Sequence, residues 1–349
     1  MTFLYIVIAI LLIGVLVLVH EVGHYTAARL TGVPVIEFAI GFGKRIWSKK
    51  SGKTGIVYSL RLVPVGGFVA FADSNDENGI ANYYKTAVWK RLVTTVSGPL
   101  MNFALAFLLA VFYLMAIGLP TVLPNVGSVN EGSPAQAAGV QVGDRFLRIR
   151  GVDVQGDVEK IRVEINASKG SAFDAVIERD GREIPVVITP VLAGDGENYI
   201  IGITIGQQGE PTRYGFFESI KMSFQIMVNA VTMLLQFLVG LVTRGEGGEN
   251  FASPIGIVDV MVNTAQQNGW QSFVDMAIML SVNLGLFNLL PLPALDGSKV
   301  IFLLIEWVRG KPIPPEKESI VTLIGFGLFI LLFIFLAGRD IAKLFGWLQ

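Results

Sequence analysis

Four stretches of the chain, near 1–24, 97–119, 276–305 and 320–337, stay apolar long enough for a helix to cross a hydrocarbon layer of about 30 Å, which takes roughly 20 residues. That confines the fold to a polytopic α-helical membrane protein with about four transmembrane helices, since lipid leaves no water to satisfy an open backbone. With 52% of its 349 residues hydrophobic, the chain is too apolar for a purely soluble domain. The first run, MTFLYIVIAILLIGVLVLVH, lacks the basic start and small-residue cleavage site of a signal peptide, so it reads as a retained span. A formal charge of -1 gives no footprint of nucleic-acid binding. With no cysteine, disulfides, thiolate metal sites and cysteine nucleophiles are excluded.

The polar segments set the expected orientation. Residues 25–96 carry ten Lys and Arg against four acids, whereas 120–214 carry nine against thirteen. The positive-inside rule puts the first loop in the cytoplasm and the insert outside, with the N-terminus outside as well. The insert 120–214 alternates in short runs (RFLRIRGVDV, DAVIERDGREIPVVITP) broken by Gly, Pro, Asn and Asp, the pattern of a small β-rich domain. Its opening, VGSVNEGSPAQAAGVQVGDRFLRIRG, resembles a bacterial-type PDZ domain. Val126, Gly127, Ser128 and Val129 match the edge where such domains add a peptide strand. A β domain that only spaces two membrane parts is the plainer alternative.

Residues 215–275 are harder to place. Phe217, Ile220, Phe224, Met227, Val231, Leu234, Leu238 and Leu241 recur at helical spacing, while Glu218, Gln225, Asn229 and Gln236 interrupt. If 215–243 crossed alone, the third long segment would run outward and carry Asp296 away from His20 and His24. The expectation is therefore an interfacial amphipathic helix followed by a membrane-adjacent segment. A cytoplasmic loop at 306–319 and a tail at 338–349 complete the layout.

The chemistry starts from HEVGH. Residues four apart share one helix face, so His20 and His24 converge on one ion while Glu21 reaches a water beside it as general base. The chain has only two histidines, and chance would give this spacing with the glutamate in about 3 of 10,000 arrangements. Marking a helix's exit into headgroups, the plainer role for these residues, requires no such spacing. A catalytic zinc takes three protein ligands and keeps one position open. With no further His or Cys, the third must be a carboxylate. Asp296 stands in NLLPLPALDG, where Pro291 and Pro293 break the helix at membrane depth, and such backbone persists only in protein or along a cavity. One Zn²⁺, two neutral imidazoles and one carboxylate leave a single positive charge that ionised Glu21 cancels, which matters at low dielectric. An Asp-Gly turn between half-helices is the alternative.

HEVGH in the first span, SGPLMN entering the second, NLLPLPALDG in the third and the PDZ-like insert between spans together resemble the site-2 protease family (peptidase M50B). EFAIGFGKRIW and YSLRLVPVGGFVAF in the first loop belong to the match, which covers nearly the whole chain. The resemblance implies zinc on His20, His24 and Asp296, Glu21 as base, and Asn288 against the substrate or its tetrahedral intermediate. It also implies that the segment at about 56–72 is a cytoplasmic or re-entrant β structure. Within it Gly66, Gly67, Phe68 and Val69 meet an unfolded substrate segment, the glycines permitting close backbone approach. An ordinary cytoplasmic hairpin remains the alternative. Asn102 of SGPLMN either faces the site or, with Ser97 and Gly98, serves helix packing.

The function so implied is zinc-dependent cleavage, within or near the bilayer of a bacterial cytoplasmic (inner) membrane, of single-pass proteins already trimmed by another protease. Anti-sigma factors and remnant signal peptides are the substrates the resemblance implies. Some relatives carry two PDZ domains, whereas the insert here fits one. It leaves open whether that domain binds a new C-terminus or hinders large ectodomains. Two rival functions differ in what they require: a zinc-free scaffold presenting the PDZ domain holds no metal, and a transporter using Asp296 and Glu21 as a proton relay would favour an inverted repeat, which the sequence lacks.

Overall fold

The computed structural model describes residues 2–72, 83–193, 196, 198–245 and 251–344. Parts of the expected first loop (73–82), of the expected membrane-adjacent segment (246–250) and of the expected tail (345–349) lie outside the described residues. The chain divides into a helical unit, Met1–Met115 with Gly215–Gln349, and an inserted unit, Ala116–Tyr214.

In the helical unit α1 (Thr2–Thr31) continues seven residues past the expected end at 24. Nothing in YTAARLT breaks a helix, and the chain turns only at Gly32, whose φ is 78°. A sheet of β1 (Val35–Lys50) and β2 (Val57–Phe71) follows. Both strands bend, and the residue pairing orders four segments as 67–71, 35–40, 57–61 and 45–50. The β segment expected at 56–72 is therefore one strand of a larger sheet, with 67–71 at one edge. At Gly67 an added Cβ would stand 2.5 Å from the Ala39 carbonyl oxygen, so this close pairing requires glycine.

Helix α2 (Val88–Ala116) begins nine residues before the expected span at 97, because VWKRLVTTV is helical although polar. It runs antiparallel to α1: Thr94 meets Thr31, Ser97 bonds the Gly23 carbonyl at 3.0 Å, and Asn102 meets His20. The contact is close because both residues at the crossing lack a side chain. An added Cβ on Gly23 would lie 2.9 Å from the Gly98 Cα.

After the insert come α5 (Phe216–Arg244), α6 (Pro254–Asn268), α7 (Ser272–Leu289), α8 (Asp296–Arg309) and α9 (Pro315–Leu344). The segment expected as one span at 276–305 is two helices. Pro291 and Pro293 cannot sustain the ladder, and Ala294 takes φ 74°. Helix α8 also extends four residues into the loop expected at 306–319. Helix α9 starts earlier and ends later than 320–337, opening on a proline suited to a first turn. Among the described residues, five helices are long and apolar enough to cross a membrane: α1, α2, α5, α7 and α9.

Packing fixes their directions. Tyr5 of α1 meets Phe273 of α7 edge-on at 5.7 Å, while His20 and His24 meet Asp296 just beyond the other end of α7, so α1 and α7 run the same way. Met261 and Ala265 of α6 bury against Ala9, and Gln266 bonds Thr2 at 3.1 Å, which holds α6 beside the same half of α1 as Phe273. The backbone N–H of Ser253, the N-cap of α6, donates to Asp340 of α9 at 2.7 Å. Arg91 of α2 forms a buried two-pronged ion pair with Glu306 of α8.

In the inserted unit β3 (Leu119–Val129) pairs with β10 (Ile203–Thr212). A second sheet takes the order β5 (Val152–Asp153), β4 (Arg145–Ile149), β6 (Phe173–Arg179), β7 (Arg182–Ile188). The short helices α3 (Pro134–Ala137) and α4 (Val158–Ala167) and the β8–β9 pair (Val191–Leu192, Tyr199–Ile200) complete it. Phe146, Ile149, Ile177, Ile188 and Ile201 are its fully buried centre. Beside that core Asp144 takes two bonds of 2.7 Å from the Arg179 guanidinium. The bond to this carboxylate raises the Arg179 pKa further.

The expected peptide edge needs a correction at Val126. Its N–H donates to the main-chain carbonyl of Asp144 at 2.6 Å and its carbonyl accepts from the Gly143 N–H at 2.8 Å, while the pairing with β10 covers the other side of the strand. With both main-chain groups taken, Val126 has none to offer a peptide. Gly127, Ser128 and Val129 follow it in β3.

Candidate metal centre

The helical spacing of HEVGH sets His20 and His24 one turn apart on α1, facing the α1–α2 crossing. Both are buried, with 6% and 8% of their surface exposed. Asp296, first residue of α8, reaches them from a separate helix because the Pro291–Leu295 break turns the chain back toward α1. The turn is tight: an added Cβ on Gly297 would lie 2.1 Å from the Leu290 carbonyl oxygen, so the glycine of LDG is required to seat Asp296.

The three side chains converge on one point. Asp296 Oδ2 stands 3.0 Å from Nε2 of His20 and 3.0 Å from Nε2 of His24, and the two nitrogens are 3.1 Å apart. Donors held about 2.0–2.1 Å from a tetrahedral zinc stand roughly 3.3–3.4 Å from one another. The cluster fits such an ion after an outward shift of roughly a few tenths of an ångström.

Hydrogen bonding supports the fit independently. Nδ1 of His24 lies 2.8 Å from the Thr94 carbonyl oxygen, which only accepts, so Nδ1 carries the proton. In the neutral ring Nε2 then presents a lone pair to a carboxylate oxygen at 3.0 Å. Two acceptors face each other there, an arrangement a cation between them resolves. These are the donor atoms of a zinc-binding histidine, together with the carbonyl contact that such a ring makes through its other nitrogen.

Glu21, next to His20 in sequence, lines a cavity of about 470 Å³ together with all three candidate ligands. Asn288 lines it too, its amide nitrogen donating to the Leu284 carbonyl at 2.9 Å. From the sheet Phe68 and Val69 reach the cavity, joined by Phe71 and Ala72 of the same edge. Gly66 and Gly67 do not line it. They lie against Val17 and Leu18 of α1, Gly66 at φ 84°, and so bring the edge segment up to the helix that carries His20 and His24. Asn102, completely buried, stands 3.1 Å from Nδ1 of His20. The expected peptide-edge residues Val126, Gly127, Ser128 and Val129 belong to the inserted unit and are not among the residues that line this cavity.

Sequence reasoning missed two contributors. Gly98 is more than a packing residue, since an added Cβ would fall 2.4 Å from Nε2 of His24 and 2.9 Å from Nε2 of His20. Lys299, one turn after Asp296 on α8, lines the cavity as a cation. Small residues in SGPLMN were the available signal for the first; the i,i+3 spacing from Asp296 was the signal for the second.

A profile of Peptidase family M50 matches residues 8–332. The zinc metalloprotease RasP of Oceanobacillus iheyensis is 30% identical over 424 residues, covering 96% of this chain and 98% of that protein. The regulator of sigma-W protease RasP of Bacillus subtilis is 29% identical over 420 residues, with the same coverage of 96% and 98%. The crystal structure of a PDZ domain from Listeria monocytogenes is similar at 19% identity, covering 26% of this chain and 93% of that domain with a TM-score of 0.21.

Proposed function

Because the chain belongs to peptidase family M50 and is a zinc metalloendopeptidase of the site-2 type, we propose that it cleaves single-pass membrane proteins within or near the bilayer at one zinc ion held by His20, His24 and Asp296. The observation that carries this reading is the convergence of two imidazole nitrogens and one carboxylate oxygen to 3.0–3.1 Å beside Glu21. When bound, zinc supplies a Lewis acid that polarises the scissile carbonyl and makes its water nucleophilic near neutral pH. Glu21 takes a proton from the attacking water as the new carbon–oxygen bond forms, and gives it to the leaving amine nitrogen as the carbon–nitrogen bond breaks. Asn288 contacts the substrate carbonyl from the cavity wall.

A helical substrate hides its amides in its own hydrogen bonds, so cleavage requires local unwinding. The edge segment 67–71 is paired on one side by 35–40 and carries Phe68 and Val69 into the cavity. Its main chain offers the unwound substrate replacement bonds, with Gly66 and Gly67 keeping it close to α1.

Four spans are the reading for topology: α1, α2, the α7–α8 pair and α9, with α5 interfacial. The parallel course of α1 and α7 supports it. Helix α2 ends at the level where α1 starts, and α7 starts there too, so the chain between them makes no net crossing. With the basic first loop in the cytoplasm, the N-terminus and the PDZ-type insert lie outside a bacterial cytoplasmic membrane. The Bacillus subtilis relative is named for sigma-factor regulation, and we extend that role here: the substrate is an anti-sigma factor or remnant signal peptide, trimmed first by another protease, and the insert acts on its ectodomain side.

Reconstitution with a defined single-span substrate tests this. Wild type is expected to cleave it and hold zinc, Glu21→Gln to hold zinc without cleaving, and Asp296→Asn to lose both. An Asp296→Asn variant with full zinc and full activity would show that Asp296 is not a ligand.

A further inference from the structure

The two histidines are not supported alike. His24 gives its Nδ1 proton to the Thr94 carbonyl, a fixed acceptor. His20 has Nδ1 against the side-chain amide of Asn102, 3.1 Å from Nδ2, and an amide can present either its nitrogen or its oxygen. With nitrogen toward His20, Asn102 Oδ1 is buried without a hydrogen-bond partner among the described residues. Such an orphaned acceptor is costly in a fully buried site.

For Nε2 of His20 to present a lone pair to a metal, the proton of the neutral ring must sit on Nδ1. An N–H there cannot face the NH₂ of an amide. Turning the Asn102 amide by half a turn, which its nearly identical oxygen and nitrogen allow, removes the clash of donors at His20 and leaves the NH₂ in the place Oδ1 held. Oδ1 gains its missing donor, and His20 gains the acceptor that fixes its tautomer and ring angle. The residue cannot slide away, since the Ser281 hydroxyl of α7 donates to the Asn102 main-chain carbonyl at 2.8 Å.

We propose that Asn102 is a positioning residue for the zinc site, its amide oxygen accepting from Nδ1–H of His20 and thereby aiming Nε2 at the metal. This rests on the zinc reading above and assigns Asn102 a specific polarity within it.

The test measures zinc affinity by chelator competition on the full chain in detergent, with His20→Ala as the reference for a lost ligand. Asn102→Leu, similar in size but without an acceptor, is expected to weaken zinc about 10–100-fold. Asn102→Asp keeps an acceptor and abolishes the donor, and is expected to retain wild-type affinity or exceed it. Because the chain has two histidines, ¹⁵N spectra of the zinc-loaded protein resolve both rings, each expected to carry its proton on Nδ1. Asn102→Leu should disturb His20 alone.

Unchanged affinity in Asn102→Leu overturns the proposal. So does an Asn102→Asp variant as weak as Leu, which would assign the role to the amide nitrogen. If the Leu variant does not fold, the Asp variant and the wild-type spectrum decide, and a His20 ring without Nδ1–H overturns it. Wild type that binds no zinc overturns the metalloprotease reading itself, a different result from wild-type zinc with indifferent Asn102 variants.

Discussion

Asp144 of the inserted unit, buried, and Asp296 of the helical unit, half-buried, show 1% and 12% side-chain exposure and are satisfied in opposite ways. Asp144 has a permanent cation: the Arg179 guanidinium grips both oxygens, and the Gln141 N–H adds a bond of 2.7 Å. Asp296 faces two imidazole nitrogens, and the His24 ring, with Nδ1 against the Thr94 carbonyl, presents a lone pair at Nε2 when it is neutral. A carboxylate supplied with its cation by the chain is structural. One placed beside two imidazole nitrogens, a cavity and a second carboxylate is arranged to take a cation from outside, as the zinc reading proposes.

The strongest way to break this contrast is at Glu21. Glu21→Gln should lower turnover about 10²–10⁴-fold while zinc content, read by atomic absorption, stays at the wild-type level. Loss of zinc together with activity would make Glu21 a ligand. On the structural side, Arg179→Ala leaves Asp144 buried without its partner. It should destabilise the inserted unit by about 3 kcal/mol, read as a lower unfolding midpoint, with zinc content unchanged.

A smaller effect is expected from Gly98→Ala. The added methyl pushes on both histidine rings, so zinc affinity should fall roughly tenfold or more, whereas the same substitution at Gly327, where nothing lies within 4 Å, should leave it intact. Glu37 sharpens the contrast most gently. Burial opposes its ionisation, but bonds from Ser59 and Arg61 and the nearby Arg45 outweigh burial and hold its carboxyl below the ordinary range. A depressed carboxyl contributes stability that is complete above its unfolded pKa of about 4.3 and fades as pH falls through the lower folded value. The β1–β2 sheet should therefore loosen only in acid, followed by hydrogen exchange at 35–40, and Glu37→Gln should flatten that dependence.

How much was legible beforehand follows the range of each interaction. The grouping of His20, Glu21 and His24 was readable because their relation is local, one turn of one helix, whereas their roles remain the proposal above. That Asp296 meets the two histidines was expected by elimination, since a chain without cysteine and with two histidines has few other candidate ligands to offer. The proline break before it was visible, but not that the break is complete enough to make two helices. Helix ends were misjudged wherever polar residues continue a helix beyond its apolar part, as in VWKRLVTTV before α2. The 45–50 and 35–40 segments of β1 escaped notice as partners of β2, because strand pairing depends on register across a bend. Gly98 and Asn102 carried ambiguous signals: small and polar residues serve packing and site alike until the facing helix is known.

The distance along the chain between the ligands has a consequence for biosynthesis. His24 and Asp296 are 272 residues apart, and α1 emerges first. A ribosome must translate the whole inserted unit before the third candidate ligand exists, so a nascent chain carries an incomplete cluster through most of its synthesis. On the zinc reading proposed above the protease is its own timer: peptide-bond hydrolysis becomes available only when α8 has folded back on the first helix, after the insert has been made.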